Sequence, residues 1–564
     1  MKRLIIIPIL FICLTLSATK YYVAPTTATP AGNDANAGTI TLPMATFAHA
    51  VTHATAGDTV YFRGGTYPMT DVVRLSTSGT AGNYINFWNY PSESPVFDGQ
   101  GMVPYYDQVT GISTNGKNYI YFKGLKLQNY PQVNWNDWTI GFFALLSTNI
   151  KYENCVVDYI EGNGFQTDRC RKVYYINCDA SNCADTLRAA PGNGGAGFSF
   201  TGTPSTYDTI SYEGCRGWHC SDDGFHGDYE GLVILNRCWS WNNGYLAAGG
   251  GNGFKVGYLL VDVNPLARIV TNCISTYNNR IGFHENSYTG QYQINGHWYN
   301  NTSYHNGSYG FFSASANLAP ENENIYKNNI SYANTIANFY AMVDYDGSNN
   351  SWDASPAITV SDADFVDLPA DVAECNTVLG AARGADGSLP SLGDLFQIAA
   401  ASDLIGTGIG VGLVYDGASP TALYHNDPPD LGALAYDADE PAPPDLPGVS
   451  TTAITTYNAY IATLGGTITS DGGGTLTASG IVWDEDINPT LSDNVIQAYE
   501  LTEDTFTVLL RNIGGGVTLH IRAFATNETG TSYGADVSLT TPAYAIMKSA
   551  TKIYFLNGKP MIYK

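Results

Sequence analysis

Three short stretches of this 564-residue chain bring together side chains that can move protons and hold charge. Ser221-Asp222-Asp223-Gly224-Phe225-His226 sets two adjacent carboxylates ahead of a histidine; Asn252-Gly253-Phe254-Lys255 sets a lysine after the same Gly-Phe pair; Arg280-Ile281-Gly282-Phe283-His284 supplies an arginine and a second histidine. Taking the residue after each Gly-Phe gives the series Gln166, Ser199, His226, Lys255, His284 and Phe312. If these positions stack in adjacent strands, Lys255 lies about 4.8 Å from each of two histidines. Protonation of either histidine would disfavour the ammonium and push Lys255 toward the neutral amine that a general base requires. The residue two before each Gly gives a second series, Gly162, Gly195, Asp222, Gly251 and Arg280, and a guanidinium there suits bidentate grip of a carboxylate. Each feature also has a plain structural explanation. Lys255 fits a solvated sheet face, Arg280 a surface arginine, and Asp222-Asp223 an Asx turn ahead of an obligatory Gly.

The elements that must position these residues repeat. Gly-Phe occurs at 164, 197, 224, 253, 282 and 310, at spacings of 33, 27, 29, 29 and 28 residues. Each interval holds short β-branched or aromatic runs, such as Lys172-Val173-Tyr174-Tyr175-Ile176, between Asn and Gly turns. One coil per interval, without a helical pattern, predicts a right-handed parallel β-helix. Cysteines mark the same period in Asn154-Cys155, Asn177-Cys178, Gly214-Cys215, Arg237-Cys238 and Asn272-Cys273, which predicts a buried thiol column. Cys170, Cys183 and Cys220 leave a disulfide open. From these cysteines to the next Gly-Phe the offset is nine residues in three coils, but 19 after Cys178 and 15 after Cys238. Two insertions at one turn thus bracket the coil of Asp222 and Asp223, and a cleft is expected there.

Composition agrees with this architecture. Sixty Gly, 40 Tyr and only 14% charged residues suit turn-rich β structure, and a net charge of −25 excludes a nucleic-acid binder working through a general basic surface. Met1-Lys2-Arg3, an apolar run from Leu4 to Leu16 and Ser17-Ala18 predict a cleaved signal peptide over 1–18, hence an exported chain. The apolar run is shorter than the ~20 residues that span a bilayer, so no stable membrane insertion is expected. The helix is expected over 19–436, a Pro-rich acidic linker over 437–450, an antiparallel sandwich of fibronectin type III or immunoglobulin-like kind over 451–542, and a basic tail over 543–564 with an Asn557-Gly558 hairpin signal.

The opening Tyr21-Tyr22-Val23-Ala24-Pro25, the segment Gly57 to Tyr67, Ser221 to Phe225, Cys238-Trp239-Ser240-Trp241-Asn242-Asn243-Gly244 and Gly251 to Gly257 together resemble the family 9 polysaccharide lyases, β-helical pectate lyases, over roughly residues 20 to 436. The resemblance implies calcium-assisted β-elimination on an acidic, pectate-like polysaccharide, and the chain is expected to act as a monomer. It places the catalytic base on Lys255 and calcium on Asp222 and Asp223. The family's two other calcium aspartates fall on Ala196 and His226, with Asp228 and Asn252 as conceivable replacements. Arg280, His226, His284 and Asn252 are the expected substrate contacts. Trp218, Trp239, Trp241, Tyr245 and Trp298 could stack on sugar rings, although most aromatics of so Tyr-rich a chain belong to the core. With two histidines beside the base, turnover is expected to fall as pH drops through about 6.5. Two other classes compete: a non-catalytic carbohydrate-binding or adhesive β-helix, and a glycoside hydrolase pairing Asp222 or Asp223 with Asp228 or Glu285.

Overall fold

The computed structural model describes residues 18–102, 108–134, 138–202, 208–229, 231–257, 266–286, 295–313, 324–341, 345–354, 358–411, 429–434, 446–454, 456–472, 476–498, 505–511, 513–527, 530–543, 553–556 and 559–562. The apolar run of the expected signal peptide, most of the Pro-rich segment and the Asn557-Gly558 pair lie outside them. The chain forms two compact units, Met1–Tyr436 and Asp437–Lys564.

The first unit is the right-handed parallel β-helix. Three parallel sheets run its length, one of twelve strands from Lys20–Val23 to Asp346–Ser348 and two of ten. The sheet that carries the chemistry runs from Val73–Arg74 to Ala337–Ala341 and includes Phe225–Tyr229, Phe254–Lys255 and Phe283–His284. The Gly-Phe repeat has a direct physical basis. Phe165, Phe198, Phe225, Phe254, Phe283 and Phe311 stack inside the helix with centroids 4.7–5.0 Å apart, one ring per coil. The preceding Gly sits where a side chain cannot: a Cβ on Gly224 would lie 2.1 Å from Ser240 Oγ. A second interior column, Tyr152, Tyr175 and Tyr212, stacks at 4.7–4.8 Å.

The cysteine ladder marks a corner. The residues before Cys155, Cys178, Cys215, Cys238 and Cys273 have φ of 52, 52, 59, 51 and 54°, the left-handed region that Asn and Gly tolerate, and only Arg237 departs from that pair. The turn points each thiol inward. All nine described cysteines are buried and free, so the bridge left open among Cys170, Cys183 and Cys220 is not made. Buried Asn ladders that the sequence did not reveal run along the coils, with Asn243, Asn278, Asn306 and Asn334 linked by side-chain amide bonds of 2.8–3.0 Å. Each amide satisfies the next, as buried polar groups must be.

The outer face of the third sheet, which runs from Gly65–Pro68 to Ile330–Tyr332, is apolar and covered over part of its length. Trp239, Trp241, Ile274 and Tyr304 pack beneath Cys375, Leu379, Leu395 and Phe396 of the returning chain, which includes the helix Val372–Val378. Buried Asp179 fastens this layer, 2.7 Å from Arg216 Nη2 and 2.6 Å from Arg383 Nη2, while Arg216 Nη1 donates to the carbonyls of Leu379 and Ala381. The second sheet is left to present the polar column.

The second unit holds antiparallel sheets. Gly448–Thr451, Ile461–Ser470 and Thr505–Arg511 form one; Ala478–Asp484, Asn494–Gln497, Thr518–Thr526, Thr531–Tyr533 and Val537–Thr540 form the other. Leu464 and Phe506 of the first share one apolar cluster with Ile481 and Ile521 of the second. Ile553–Leu556 pairs antiparallel with Lys559–Ile562, flanking the expected hairpin position. Among the described residues no helix is long and apolar enough to cross a membrane.

Candidate active site

The register reproduces the column read from the sequence: Gln166 pairs with Ser199, Ser199 with His226, His226 with Lys255, Lys255 with His284 and His284 with Phe312. The second series stacks too. Asp222 N donates to Gly195 O, Gly251 N to Asp222 O and Arg280 N to Gly251 O at 3.3, 3.2 and 2.7 Å. Arg280 is exposed at the edge of this corner. The two insertions pack against each other, Ala248 N donating to Pro191 O at 3.3 Å, and Ser221 Oγ ties the first to the Asp222 coil by donating to Gly192 O.

Asp222 and Asp223 are buried and oriented from behind. Gly250 N donates to Asp222 Oδ1, while Asn252 N and Nδ2 both donate to Asp223 Oδ1 at 2.8 and 2.7 Å. Both Oδ2 atoms consequently turn toward His226, whose Nδ1 lies 2.8 Å from Asp223 Oδ2 and 3.4 Å from Asp222 Oδ2. Lys255 Nζ stands 3.6 Å from Asp223 Oδ2 with 16% of its side chain exposed. Asn252, expected as a substrate contact, spends its donors on Asp223. The sequence signal for this backing was Gly249-Gly250-Gly251, since a Cβ on Gly250 would lie 2.4 Å from Asp223 Oδ1 and 2.7 Å from Asp222 Oδ1.

The two histidines differ in charge. Burial works against the charged form of His226, but its contacts with Asp222 and Asp223 prevail and push its pKa up to about 9. His284 is buried, its ring edge-on to Phe312 at 5.1 Å, and burial followed by the charge of Lys255 lowers it to about 3. Neither value lies near the 6.5 of a free imidazole, the range in which turnover was expected to fall. Burial raises the Asp223 pKa, yet Lys255 and His226 outweigh it and hold the carboxyl well below its usual range.

Other expectations fare unevenly. Ala196 lies one coil before Asp223, its neighbour Gly197 donating to Asp223 O, and contributes no side-chain ligand. Asp228 Oδ1 is buried without a hydrogen-bond partner, two residues along the strand from His226. Glu285 is fully buried and accepts from Asn324 Nδ2 at 3.1 Å, so it cannot face a carboxylate across a scissile bond as the hydrolase alternative requires. Trp239, Trp241 and Trp298 are core residues and Trp218 stacks on Trp241 at 4.8 Å. Of the five aromatics, Tyr245 alone is well exposed, stacked on His219 at 4.6 Å.

The Asp222, Asp223 and His226 donor atoms lie within 4.8 Å of one another. Asp223 Oδ2 and His226 Nδ1 are buried and have no hydrogen-bond partner, because they approach without the alignment such a bond needs. Asp223 Oδ2, paired with His226 Nδ1 and Lys255 Nζ but short of an aligned hydrogen bond, turns into a three-donor cluster whose chemistry fits a bound cation.

Comparison with known proteins places this corner in context. Pectate lyase L of Dickeya dadantii (strain 3937) is 28% identical over 430 residues, covering 73% of this chain and 90% of that protein. Pectate lyase L of Paenibacillus polymyxa (strain SC2) is 29% identical over 423 residues, covering 70% and 84%. The crystal structure of pectate lyase Pel9A superposes with a TM-score of 0.56 at 24% identity, covering 75% of this chain and 98% of that one. The family model for the Pel9A-like, right handed beta helix region matches residues 21–329, more than half of the sequence and every coil from which Asp222, Asp223, Lys255 and Arg280 project. By that match the chain belongs to the Pel9A-like family of right-handed β-helices.

Proposed function

We propose that this protein is a secreted lyase that cleaves an acidic, pectate-like polysaccharide by β-elimination, with Lys255 as the base. The observation that carries the reading is the position of Lys255 Nζ: partly exposed on the open sheet, between His226 and His284 in register and beside the Asp222–Asp223 pair. The pectate lyases similar to this chain over most of its length support the reaction class.

In this mechanism Lys255 first gives up to solvent the proton that its contact with Asp223 Oδ2 favours, and the neutral amine then removes the proton α to a uronate carboxylate. The electron pair of that C–H bond becomes the new carbon–carbon double bond, the glycosidic C–O bond breaks, and the leaving oxygen takes a proton from solvent. Charge builds on the uronate carboxylate during proton removal. Arg280, exposed one coil beyond Lys255, grips a neighbouring uronate of the chain. Asp222 and Asp223 would hold a divalent cation, calcium in the family's pattern, through their Oδ2 atoms. Such a cation supplies neutralisation of the developing carboxylate charge.

The test is incubation with polygalacturonate while following absorbance of the unsaturated uronate product. The wild-type protein should generate it. Lys255→Ala should lower turnover by about 10²–10⁴-fold with little change in stability. Retained turnover ends the lysine-base mechanism. Reducing ends appearing without absorbance would mark a hydrolase, and neither product a binder.

A further inference from the structure

The two insertions form one ridge, and the side of it turned away from Lys255 carries a second groove. Each insertion is pinched at its base: a Cβ on Gly195 would lie 2.8 Å from Ala184 Cα, and one on Gly244 would lie 2.2 Å from Gly251 Cα. After each pinch the chain enters the second sheet, at Phe198–Gly202 and Phe254–Lys255, and so reaches the polar column. Before it, the chain leaves the third sheet, at Asp179–Ser181 and Trp239–Trp241. On that third-sheet side Gln100, Asn129, Tyr159, Asn182, His219 and Tyr245, one from each of six successive coils, line a groove of about 420 Å³. Five strand spacings make it about 24 Å long, parallel to the helix axis.

Two tyrosine rings stand in this groove with their positions already set. Tyr245 is 45% exposed and stacks on His219 with 14° between the ring planes. Asn182 Nδ2 donates to Asp158 Oδ1 at 2.8 Å, which leaves its Oδ1 to accept from His219 Nδ1 at 2.7 Å, so the ring beneath Tyr245 is fixed from the two preceding coils. Tyr159 is 59% exposed and has φ of 53°, at a corner where the coils on either side place Asn129 and Asn182. A bulky residue strains that left-handed backbone more than Asn does. Among the described residues the Tyr159 side chain makes no hydrogen bond, ion pair or ring contact that would offset the strain. Strain of this kind persists where a ligand uses it.

Charge decides which ligand. Among the described residues lining the groove there is no Lys or Arg. Glu161 brings a carboxylate, fixed by Gln132 N donating to its Oε2 at 2.7 Å, and burial lowers the His219 pKa and keeps that ring neutral. A polyuronate meets only repulsion here. A neutral sugar presents C–H faces to the tyrosine rings and hydroxyl donors to the amide oxygens and the carboxylate. We propose that this groove binds a neutral saccharide chain, separately from the acidic chain held beside Lys255.

The experiment titrates the full chain carrying Lys255→Ala, which leaves an acidic oligomer uncut, with cellotetraose, xylotetraose and β-1,4-linked galactotetraose by calorimetry. At least one of them should bind, and excess tetragalacturonate should leave it in place. Tyr159→Ala and Tyr245→Ala should each weaken that binding by about ten-fold, whereas Tyr245→Phe, which keeps the ring, should bind as its parent does. Both tyrosines are exposed, so neither truncation empties the core. Binding of none of the three at millimolar concentration overturns the proposal, as does binding unchanged in both alanine variants or displacement by tetragalacturonate. Failure of the wild-type protein to form unsaturated uronate would count against the lyase reading alone, because the groove is read out by binding.

Discussion

Gly250→Ala tests how the two carboxylates are held without touching a charged group. The added Cβ would lie 2.4 Å from Asp223 Oδ1 and 2.7 Å from Asp222 Oδ1, closer than carbon and oxygen can pack. Both oxygens must retreat by about 0.5–1 Å. Neither has room, since Asp222 and Asp223 are buried and Asp223 Oδ1 is clamped by two donors from Asn252. Loss of the bond from Gly250 N to Asp222 Oδ1, a charge-assisted one, costs about 1.5–3 kcal/mol, and the overlap adds to it. Together they predict destabilisation of about 2–4 kcal/mol. A displacement near 1 Å at reacting groups lowers turnover by about 10²-fold, and cation affinity by about 10–100-fold. Denaturant midpoints, cation titration and initial rates on polygalacturonate measure the three effects. Gly410→Ala is the control, because a Cβ there meets no atom within 4 Å, and it should change stability by less than about 0.5 kcal/mol. If Gly250→Ala matched that control in both stability and rate, the carboxylates would not depend on their backing, and the account of the site would be wrong.

Three further outcomes follow from other parts of the molecule. His284 is held neutral down to about 3, below its unfolded value of about 6.5, so the unfolded chain takes the proton first on acidification; stability should fall between those values by up to about 1.4 kcal/mol per pH unit, and denaturation of His284→Asn across that range should show a shallower slope. His226 in metal-free protein has the opposite sign: its stabilisation is complete below about 6.5 and is lost as pH rises through about 9, which alkaline denaturation of His226→Asn would reveal by its absence. Asp179→Ala leaves Arg216 and Arg383 buried without their carboxylate, and should cost about 3–5 kcal/mol and expose the covering segment around Leu379 to protease; intact resistance would deny Asp179 its fastening role. In the wild-type protein, limited proteolysis should cut first within 439–447, the part of the expected linker ahead of the paired strand Gly448–Thr451, and initial cutting inside the Gly-Phe coils would contradict that boundary.

What could be read from the sequence was whatever repeats. A Gly that no other residue can replace, followed by a Phe that stacks on its copies, stamps each coil with the same two letters, and in-register parallel strands turn sequence offsets into spatial neighbours. The Gln166 to Phe312 column was therefore legible from residue offsets alone. What failed to show was whatever depends on neighbours that do not repeat. His226 and His284 are equivalent by offset, yet one faces two carboxylates and the other is buried against a phenyl ring, and only their surroundings separate their charges. Asn252 looked free to meet substrate because its partner Asp223 lies 29 residues earlier. The covering layer over the third sheet depends on Arg383 reaching Asp179 across 204 residues, a pairing no local pattern announces.

The thiol column makes each coil individually addressable. Cys155, Cys178, Cys215, Cys238 and Cys273 occupy five successive coils, and all are inaccessible in the folded unit. An alkylating reagent finds no target there until a coil opens, since buried thiols are inert. Labelling under mild denaturant followed by peptide mapping would then report not how much of the protein has opened but where along its axis the opening began and in which direction it spread. The fold thus carries its own regular set of position markers.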